Sequence, residues 1–283
     1  MKHFATYIMI GIGLTAAVLS CGKTAQGGKT AEATDTIAIP EGYTALVFND
    51  EFNTDGMPDT AKWNYEQGYL RNQELQYYTV GRKDNARVEN GTLRLRAVAD
   101  SAEIDGEMRP VTSASLVTRG KHDWTYGYVE VRAKLPKGLG TWPAIWMMPT
   151  DRSYGKWPTC GEIDIMENVG YNPDNIHFSA HSEAYNHVIN TQKTHVTEVP
   201  GVQDGFHTYA LRWTPDSLTW LMDGTEQYTV TREATDTYRE WPFDTPFYLI
   251  LNFAFGGSWG GNQGVDLTAL PQEFEIDYVR VFK

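Results

Sequence analysis

The sequence predicts an all-β protein, a jelly-roll β-sandwich of two antiparallel sheets with one concave face. Apolar and polar residues alternate in short segments such as "NGTLRLRAVA" and "YGYVEVRAKLP", and this two-residue period is typical of half-buried strands. Asn90-Gly91 and Asp223-Gly224 stand between such segments and predict hairpin turns. Helical periodicity is limited to two short candidates, residues 59–65 and 232–241. Many short strands over about 240 residues favour two packed sheets.

The N-terminal residues 1–20 predict a lipoprotein signal peptide. They hold one lysine, an apolar run too short to span a bilayer comfortably, and small residues at the end. The ending "AVLSC" resembles a bacterial lipobox, which implies that Cys21 is acylated; the alternative is a simple signal peptide with an incidental cysteine. Residues 21–40 are small, polar and aperiodic, which predicts a lipidated cysteine followed by a flexible tether. A lipid would then hold a single domain, residues 41–283, to a membrane of a bacterial cell envelope.

The charge balance limits the partners. Removing residues 1–21 takes away one lysine and no acid, so the net charge changes from −12 to −13. Nucleic acid is not expected as a partner, because proteins that bind it carry a basic surface. Cys160 is the only cysteine besides Cys21, so we expect no disulfide, and Cys160 is interpreted as a small buried filler. Nothing in the sequence demands more than a monomer.

The segment "GEIDIMENVG", residues 161–170, breaks the alternation of a regular strand. Glu162 and Asp164 would share one face, whereas Glu167 would point into the core. A buried, unpaired carboxylate is very costly. We therefore predict a β-bulge, with Ile165 or Met166 as the extra residue, that brings all three carboxylates to one face.

Three aligned carboxylates allow three interpretations. They are a hydrated strand face, a calcium site, or a catalytic set in which a nucleophilic carboxylate is paired with a protonated acid, as in retaining glycosidases. Neighbouring negative charges raise at least one pKa in such a set, and the protons then belong to the set as a whole. The spacing alone does not decide among these interpretations.

The same segment resembles the E-x-D-x-x-E signature of glycoside hydrolase family 16, in its laminarinase-like form. "NQELQYYT", "SASLVTRGKHDWTYGYVEVRAKLPKGLGTWPAIWMMP", "FHTYALRWTP", "LILNFAFGGSWGG" and "EIDYVRVF" resemble family segments in family order, so that the resemblance covers roughly residues 43–283. It implies a jelly roll with a substrate cleft and retaining hydrolysis. In this sequence it assigns Glu162 as the nucleophile, Asp164 as the assisting acid, and Glu167 as the general acid and then the general base.

The implied activity is that of an endo-β-glucanase that cuts internal bonds of β-1,3-glucan (laminarin) or mixed-linkage β-1,3-1,4-glucan. The family also contains sulfated-galactan hydrolases of the agarase, porphyranase and carrageenase types, which fit a net charge of −13 less well. A non-catalytic glycan-binding lipoprotein is a further alternative. Glu162, Asp164 and Glu167 argue against it, because a binding protein does not need the three carboxylates.

Six further residues are candidate substrate-binding residues. Alternation places Trp142 and Trp146 on one face, either as sugar platforms or as core residues. His181, in "NIHFSAHSEAYNH", is interpreted as the histidine that the family has near its acidic cluster. A zinc site of His177, His181 and His187 does not fit one strand face. By resemblance, Asn72 and Glu74 border the non-reducing-side subsites. Trp259, in the Gly-rich "GGSWGG", is either a sugar platform or a loop anchor.

No cofactor is expected for catalysis, but the resemblance implies a structural calcium ion away from the cleft. The family positions for its ligands correspond here to Glu51, to the carbonyl of Gly91, and to Asp277. Without a calcium ion, Asp277 would be an ordinary surface residue.

Overall fold

Two antiparallel β-sheets form the body of the computed structural model, which describes residues 37–283. Strands are numbered in chain order. The eight-stranded sheet contains, in spatial order, β17 (Thr225–Thr231), β16 (Ser217–Met222), β15 (His207–Trp213), β10 (Gly127–Lys134), β19 (Gln272–Phe282), β5 (Thr92–Ala97) and β4 (Ala86–Glu89), with β1 (Leu46–Asp50) also paired to β19. The seven-stranded sheet contains β14 (Lys193–Glu198), β13 (Asn172–His181), β12 (Glu162–Val169), β11 (Thr141–Pro149), β18 (Phe247–Phe255), β9 (Ser115–Val117) and β2 (Asn64–Tyr65). Two small pairs complete the strands: β3 (Tyr77–Tyr78) with β8 (Thr112–Ser113), and β6 (Ala102–Ile104) with β7 (Glu107–Arg109). The all-β prediction is confirmed.

Both predicted hairpin turns are also confirmed. Asn90 and Gly91 connect β4 to β5 with φ angles of 56° and 76°, and Asp223 and Gly224 connect β16 to β17 with 48° and 75°. Two consecutive positive φ angles are the requirement of a type I′ turn, whose twist matches that of the flanking strands.

The two short helix predictions are wrong. Residues 59–65 form a turn that leads into β2, and residues 232–241 form turns. Each segment is too short to nucleate a helix by itself, and each is attached to the core by a buried indole, Trp63 or Trp241. Within residues 37–283 the helical elements are α1 (Gly257–Gly260) and three 3₁₀ turns, His187–Ile189, Val202–Asp204 and Leu267–Ala269.

One apolar cluster joins the inner faces of the two sheets. Val129 and Val131 of β10 contribute from one sheet, and Ile145 and Met147 of β11 contribute from the other, all fully buried. Even-numbered residues of β11 therefore point to the opposite side, away from this core, as a strand's period of two requires. We call that side of the seven-stranded sheet the open face.

The predicted signal peptide, Cys21 and most of the predicted tether lie outside the described residues. Ile37 is half-buried against a cluster that contains Tyr128 and Phe282, so apolar contacts with the sandwich begin before the predicted boundary at residue 41. Cys160 is reduced and 1% exposed, and burial raises its pKa to about 11, in agreement with a filler role. Among the helices of residues 37–283, none has the length and apolarity to cross a membrane.

The solvent side of the eight-stranded sheet carries an ion-pair network centred on Glu273. Its carboxylate lies 2.9 Å from Nη2 of Arg87, 2.6 Å from Nη1 of Arg94 and 2.9 Å from Nε of Arg96. Burial would raise the pKa of Glu273, but the hydrogen bonds and charges of Arg94 and Arg87 lower it overall. Networks of this kind stabilise more than isolated surface pairs do.

Replacing Glu273 by glutamine is expected to lower the free energy of unfolding by about 1–2 kcal/mol, because three guanidinium groups lose their shared counter-charge. Glu226→Gln, which removes one isolated pair with Arg212, should have almost no effect. Since the folded-state pKa of Glu273 is lowered, its contribution is present above the unfolded-state value of about 4.3 and is lost as the pH falls through the folded-state value. Urea denaturation of the wild type and both variants at pH 7 and pH 3 measures these free energies of unfolding. An equal loss for Glu273→Gln at the two pH values would contradict the stabilising role of its charge.

Candidate active site

The predicted bulge is present in β12 and is seen from both neighbouring strands. Against β11, Met166 pairs with Ile145 and Asp164 pairs with Trp146, which leaves Ile165 without a partner. Against β13, three steps from Asp164 to Glu167 correspond to two steps from Ser179 to His177. One extra residue therefore lies between Asp164 and Glu167.

The bulge separates the apolar residues of β12 from its carboxylates. Ile165 and Met166 are both fully buried in the core between the sheets. Glu162, Asp164 and Glu167 are consequently on the open face, and no carboxylate of this strand enters the apolar core. Bulges commonly re-aim side chains beside active sites in this way.

Burial and mutual repulsion dominate the electrostatics of the three acids. Burial, followed by the negative charge of Asp164, raises the pKa of Glu162 and of Glu167, and burial raises that of Asp164. Asp164 is the more buried, with 4% of its side chain exposed against 17% for Glu162. Water therefore favours ionisation at Glu162, while Asp164 tends to keep a proton.

His181 completes the cluster, as predicted. It pairs directly with Glu162 across β12 and β13. Its Nε2 atom lies 3.2 Å from Oδ2 of Asp164 and 3.7 Å from Oε1 of Glu162. The imidazole also contacts the rings of Trp157 and His187, with centroid distances of 6.2 and 5.2 Å. The histidine is thus held between the carboxylates and an aromatic corner.

Trp142 is on the open face and touches the third carboxylate. Its indole Nε1–H donates to Oε1 of Glu167 at 3.0 Å, which lowers the pKa of Glu167 against the effect of burial. Trp259 packs edge-on against Trp142 at 5.3 Å and against His177 at 4.9 Å. The Gly-rich segment contains the short helix α1, and its half-buried Trp259 packs against the indole that bonds Glu167.

Trp146 is also on the open face, where a chain of hydrogen bonds holds it. Its Nε1–H donates to Oδ1 of Asn252 at 2.7 Å, and Nδ2 of Asn252 donates to the hydroxyl of Tyr78 at 2.9 Å. That hydroxyl donates to Oε2 of Glu74 at 3.3 Å. The guanidinium of Arg71 lies over the ring of Trp146, 4.9 Å from its centroid.

The predicted pair Asn72 and Glu74 lies on the same side as Trp146. Glu74 is 7% exposed, and its carboxylate accepts hydrogen bonds from Gln76 at 2.6 Å and from Asn72 at 3.3 Å. Burial raises the pKa of Glu74, although the charge of Arg71 opposes this. Glu74 is therefore a structural acceptor beside the open face, and Asn72 has the more peripheral position.

Comparison with known proteins agrees with this geometry. The model of the family "Glycosyl hydrolases family 16" matches residues 73–280. The chain belongs to glycoside hydrolase family 16. A β-glucanase of Rhodothermus marinus is 50% identical to this family 16 chain over 84% of the chain and 85% of its own length.

Solved structures of family 16 relatives have the same fold. The laminarinase from Rhodothermus marinus superposes with a TM-score of 0.80 at 50% identity, covering 84% of this chain and 96% of the relative. A variant of SCLam, a non-specific endo-β-1,3(4)-glucanase, holds 1,3-β-D-cellobiosyl-glucose at its active site. It superposes with a TM-score of 0.82 at 48% identity, covering 87% of this chain and 96% of the relative.

Sequence reasoning missed several residues of this family 16 site. Arg71 forms an ion pair with Glu66, and Ser115 donates to the same carboxylate at 2.7 Å. Tyr78 and Asn252 hold Trp146, as described above. Except for the Arg71–Glu66 pair, these contacts join segments far apart in the chain, and no local pattern marks them. His177, which alternation places on the same strand face as His181, pairs directly with Glu167, and that shared face is the sequence signal for its position.

The predicted calcium ligands are engaged by arginines in this structure. Arg280 donates two hydrogen bonds to Glu51, at 2.8 and 3.0 Å, and Arg132 donates to Asp277 at 2.6 Å. Both carboxylates thus already have a cationic partner that competes with calcium. Gly91 lies in the β4–β5 turn.

Proposed function

We propose that the protein is a retaining endo-β-glucanase acting on β-1,3-glucan or mixed-linkage β-1,3-1,4-glucan. The observation that carries the proposal is the one-residue bulge in β12, which aligns three carboxylates on the open face of a family 16 chain. Two open-face indoles flank them, and sugar rings present flat C–H faces that stack on indole. The names of the family 16 relatives support the substrate class.

The proposed reaction is a double displacement. Ionised Glu162 attacks the anomeric carbon, while protonated Glu167 gives its proton to the departing glycosidic oxygen. A covalent glycosyl ester on Glu162 results, and the leaving chain departs as an alcohol. Glu167, now a carboxylate, takes a proton from water, and that water's oxygen displaces the ester. Two inversions give net retention.

Asp164 and His181 adjust the protonation of the two catalytic glutamates, Glu162 and Glu167. Protonated Asp164, between the two glutamates, would donate toward Glu162 and stabilise its ionised form. The charge of His181, when protonated, lowers the pKa of Glu162 and of Glu167. These two residues therefore oppose the effect of burial, which otherwise keeps every carboxyl group protonated.

A neutral glucan suits this site better than a sulfated galactan. Arg71, the cation beside Trp146, is already paired with Glu66 and lies near the acidic cluster, so a sulfate ester there would meet repulsion as well as attraction.

Reducing ends released from laminarin, lichenan, barley glucan, agarose and carrageenan test the proposal. Release from agarose or carrageenan alone would favour the galactan-hydrolase alternative. No release from any of the five would favour a glycan-binding protein and exclude the enzyme.

Trp142→Phe is expected to shift the alkaline limb of the profile of kcat/KM against pH to a higher pH. Burial raises the pKa of Glu167, so kcat/KM should fall on the alkaline side of the pH profile as this acid loses its proton. The Trp142 indole N–H stabilises the ionised form of Glu167. Its removal should therefore move the alkaline limb to higher pH by roughly one pH unit. Trp146→Phe, which removes an indole bonded to Asn252 instead, is the matched control and should leave the limb in place. A limb that stays or moves down in Trp142→Phe contradicts the role of this bond.

We also propose a structural calcium ion at Glu51, Gly91 and Asp277, supported by the family resemblance alone. Because arginines compete for both carboxylates, binding should be weak, and the stabilisation should grow with calcium concentration in the millimolar range. Melting temperatures in EDTA and in calcium measure it. Glu51→Gln should abolish the calcium response, and a wild-type melting temperature indifferent to calcium would exclude the site.

The lipid anchor on Cys21 remains a proposal based on the lipobox. It would attach the enzyme to a membrane of a bacterial cell envelope, and we propose separately that the enzyme is a monomer. Expression with and without Cys21→Ala tests it. The variant should move from the membrane fraction to the soluble fraction and lose labelling by radioactive palmitate, whereas equal distribution of both forms contradicts the anchor.

A further inference from the structure

Three candidate metal ligands, two carboxylates and one imidazole, converge on the open face at β12 and β13. Glu162, Asp164 and His181 each place one carboxylate oxygen or imidazole nitrogen within 4.8 Å of the others. Nε2 of His181 is 3.2 Å from Oδ2 of Asp164 and 3.7 Å from Oε1 of Glu162. In a tetrahedral site with metal–ligand bonds of about 2.0–2.1 Å, neighbouring ligand atoms are about 3.3–3.4 Å apart. The two nitrogen–oxygen separations bracket that value, and the two carboxylate oxygens lie within 4.8 Å of each other.

The cluster also contains a buried acceptor without a partner. Asp164 is 3% exposed, and its Oδ2 atom makes no hydrogen bond to any described residue. This is the same oxygen that faces Nε2 of His181. An unsatisfied buried oxygen is costly, and an ion placed between the two atoms would satisfy it, with release of the Asp164 proton to solvent on binding.

We propose that Glu162, Asp164 and His181 form a binding site for Zn²⁺ or a similar divalent transition-metal ion. The ion would bind to one nitrogen and two oxygens and leave a fourth position for water. The imidazole selects transition metals over calcium and magnesium, which prefer sites made of oxygens alone. This site is therefore distinct from the calcium site proposed above in both place and ion.

Zinc at this site inhibits rather than assists. It occupies the carboxylate of Glu162 that the proposed reaction needs as a nucleophile, and it lies where the sugar would bind. Nδ1 of His181 is buried and has no hydrogen-bond partner among the described residues. Bound histidines usually have such a partner, and its loss costs roughly 10–100-fold in affinity. The site should accordingly be weaker than that of a resident zinc ion and reversible by a chelator.

Calorimetric titration with zinc chloride tests the site on tag-free protein in a buffer that does not chelate metals. We expect one zinc ion per chain at this site in the wild type. Asp164→Asn and His181→Asn should each weaken it by at least about tenfold, with folding checked by thermal melting. His207→Asn is the matched control, because His207 also lies beside a carboxylate, 2.7 Å from Asp223, but on the surface. It should bind zinc like the wild type.

Competition supplies a second measurement. A laminarin oligosaccharide titrated into the slow Glu162→Gln variant should bind, and in the wild type zinc and glucan should exclude each other. Unchanged zinc affinity in both Asp164→Asn and His181→Asn, or zinc inhibition that excess glucan does not relieve, would overturn the inference. If glucan is hydrolysed but zinc does not bind, only this inference fails. If zinc binds but no glucan is hydrolysed, only the proposed function fails.

Discussion

Glu162→Gln is expected to abolish glucan hydrolysis and to leave the fold intact. The amide keeps the shape of the side chain but cannot attack the anomeric carbon, so kcat should fall by roughly four orders of magnitude or more. Glu162 is 17% exposed at its side chain, and the substitution removes one of three repelling acids, so the melting temperature should hold or rise. Rates on laminarin, together with oligosaccharide binding by calorimetry, measure both expectations.

A chemical-rescue experiment separates the two glutamates. Azide can replace the missing nucleophile in Glu162→Gly and should give an α-glycosyl azide after one inversion. In Glu167→Gly, azide attacks the glycosyl-enzyme after a first inversion on Glu162 and should give the β product. An activated substrate with a good leaving group is needed for both variants. The reverse pairing of products would exchange the two roles, and substantial activity of Glu162→Gln without azide would refute the nucleophile.

Deleting Met166 is the change expected to damage both the fold and the rate. It converts the bulged strand into E-x-D-x-E, in which regular alternation can still keep the acids on one face. However, the inner side loses one fully buried side chain, and the resulting cavity should cost about 2–5 kcal/mol of unfolding free energy. The turn from β12 into β13 must also follow a straighter strand, which displaces Glu167. Urea denaturation and kcat measure the two losses.

Met166→Ala is the matched control for that deletion, because it removes a similar apolar volume and keeps the bulge. It should lose comparable stability but retain most of the activity. If the deletion is no worse than Met166→Ala in both stability and rate, then the bulge has no role beyond filling the core.

Alternation along β12 was enough to predict the bulge. The period of two allowed only one way to keep Glu167 out of the core, and the structure has the extra residue at Ile165–Met166. The same rule placed Trp142 and Trp146 on one face, whereas the choice of His181 as the histidine beside the acids rested on the family resemblance. The Asn-Gly and Asp-Gly turns were equally predictable, because few dipeptides adopt two positive φ angles.

Long-range contacts were not predictable in this way. Tyr78 and Asn252 are 174 positions apart, and neither has a local pattern that distinguishes a positioning residue from a filler of the core. Arg71 is equally unmarked, because its place over Trp146 depends on where the 66–78 segment crosses the sheet. Residues 59–65 were wrongly predicted to be helical because a local pattern was present but weak. Burial of Trp63 in the core outweighed that local preference.

The hydrogen-bond chain from Trp146 through Asn252 and Tyr78 to Glu74 has a consequence for engineering. Each member depends on the next for its orientation, so the effects of substitutions along the chain should be strongly non-additive. In a library that varies one position at a time, nearly every change would be harmful, and this side of the open face would wrongly be taken as intolerant of substitution. Recombining all four positions together is the route by which a new glycan preference could arise there.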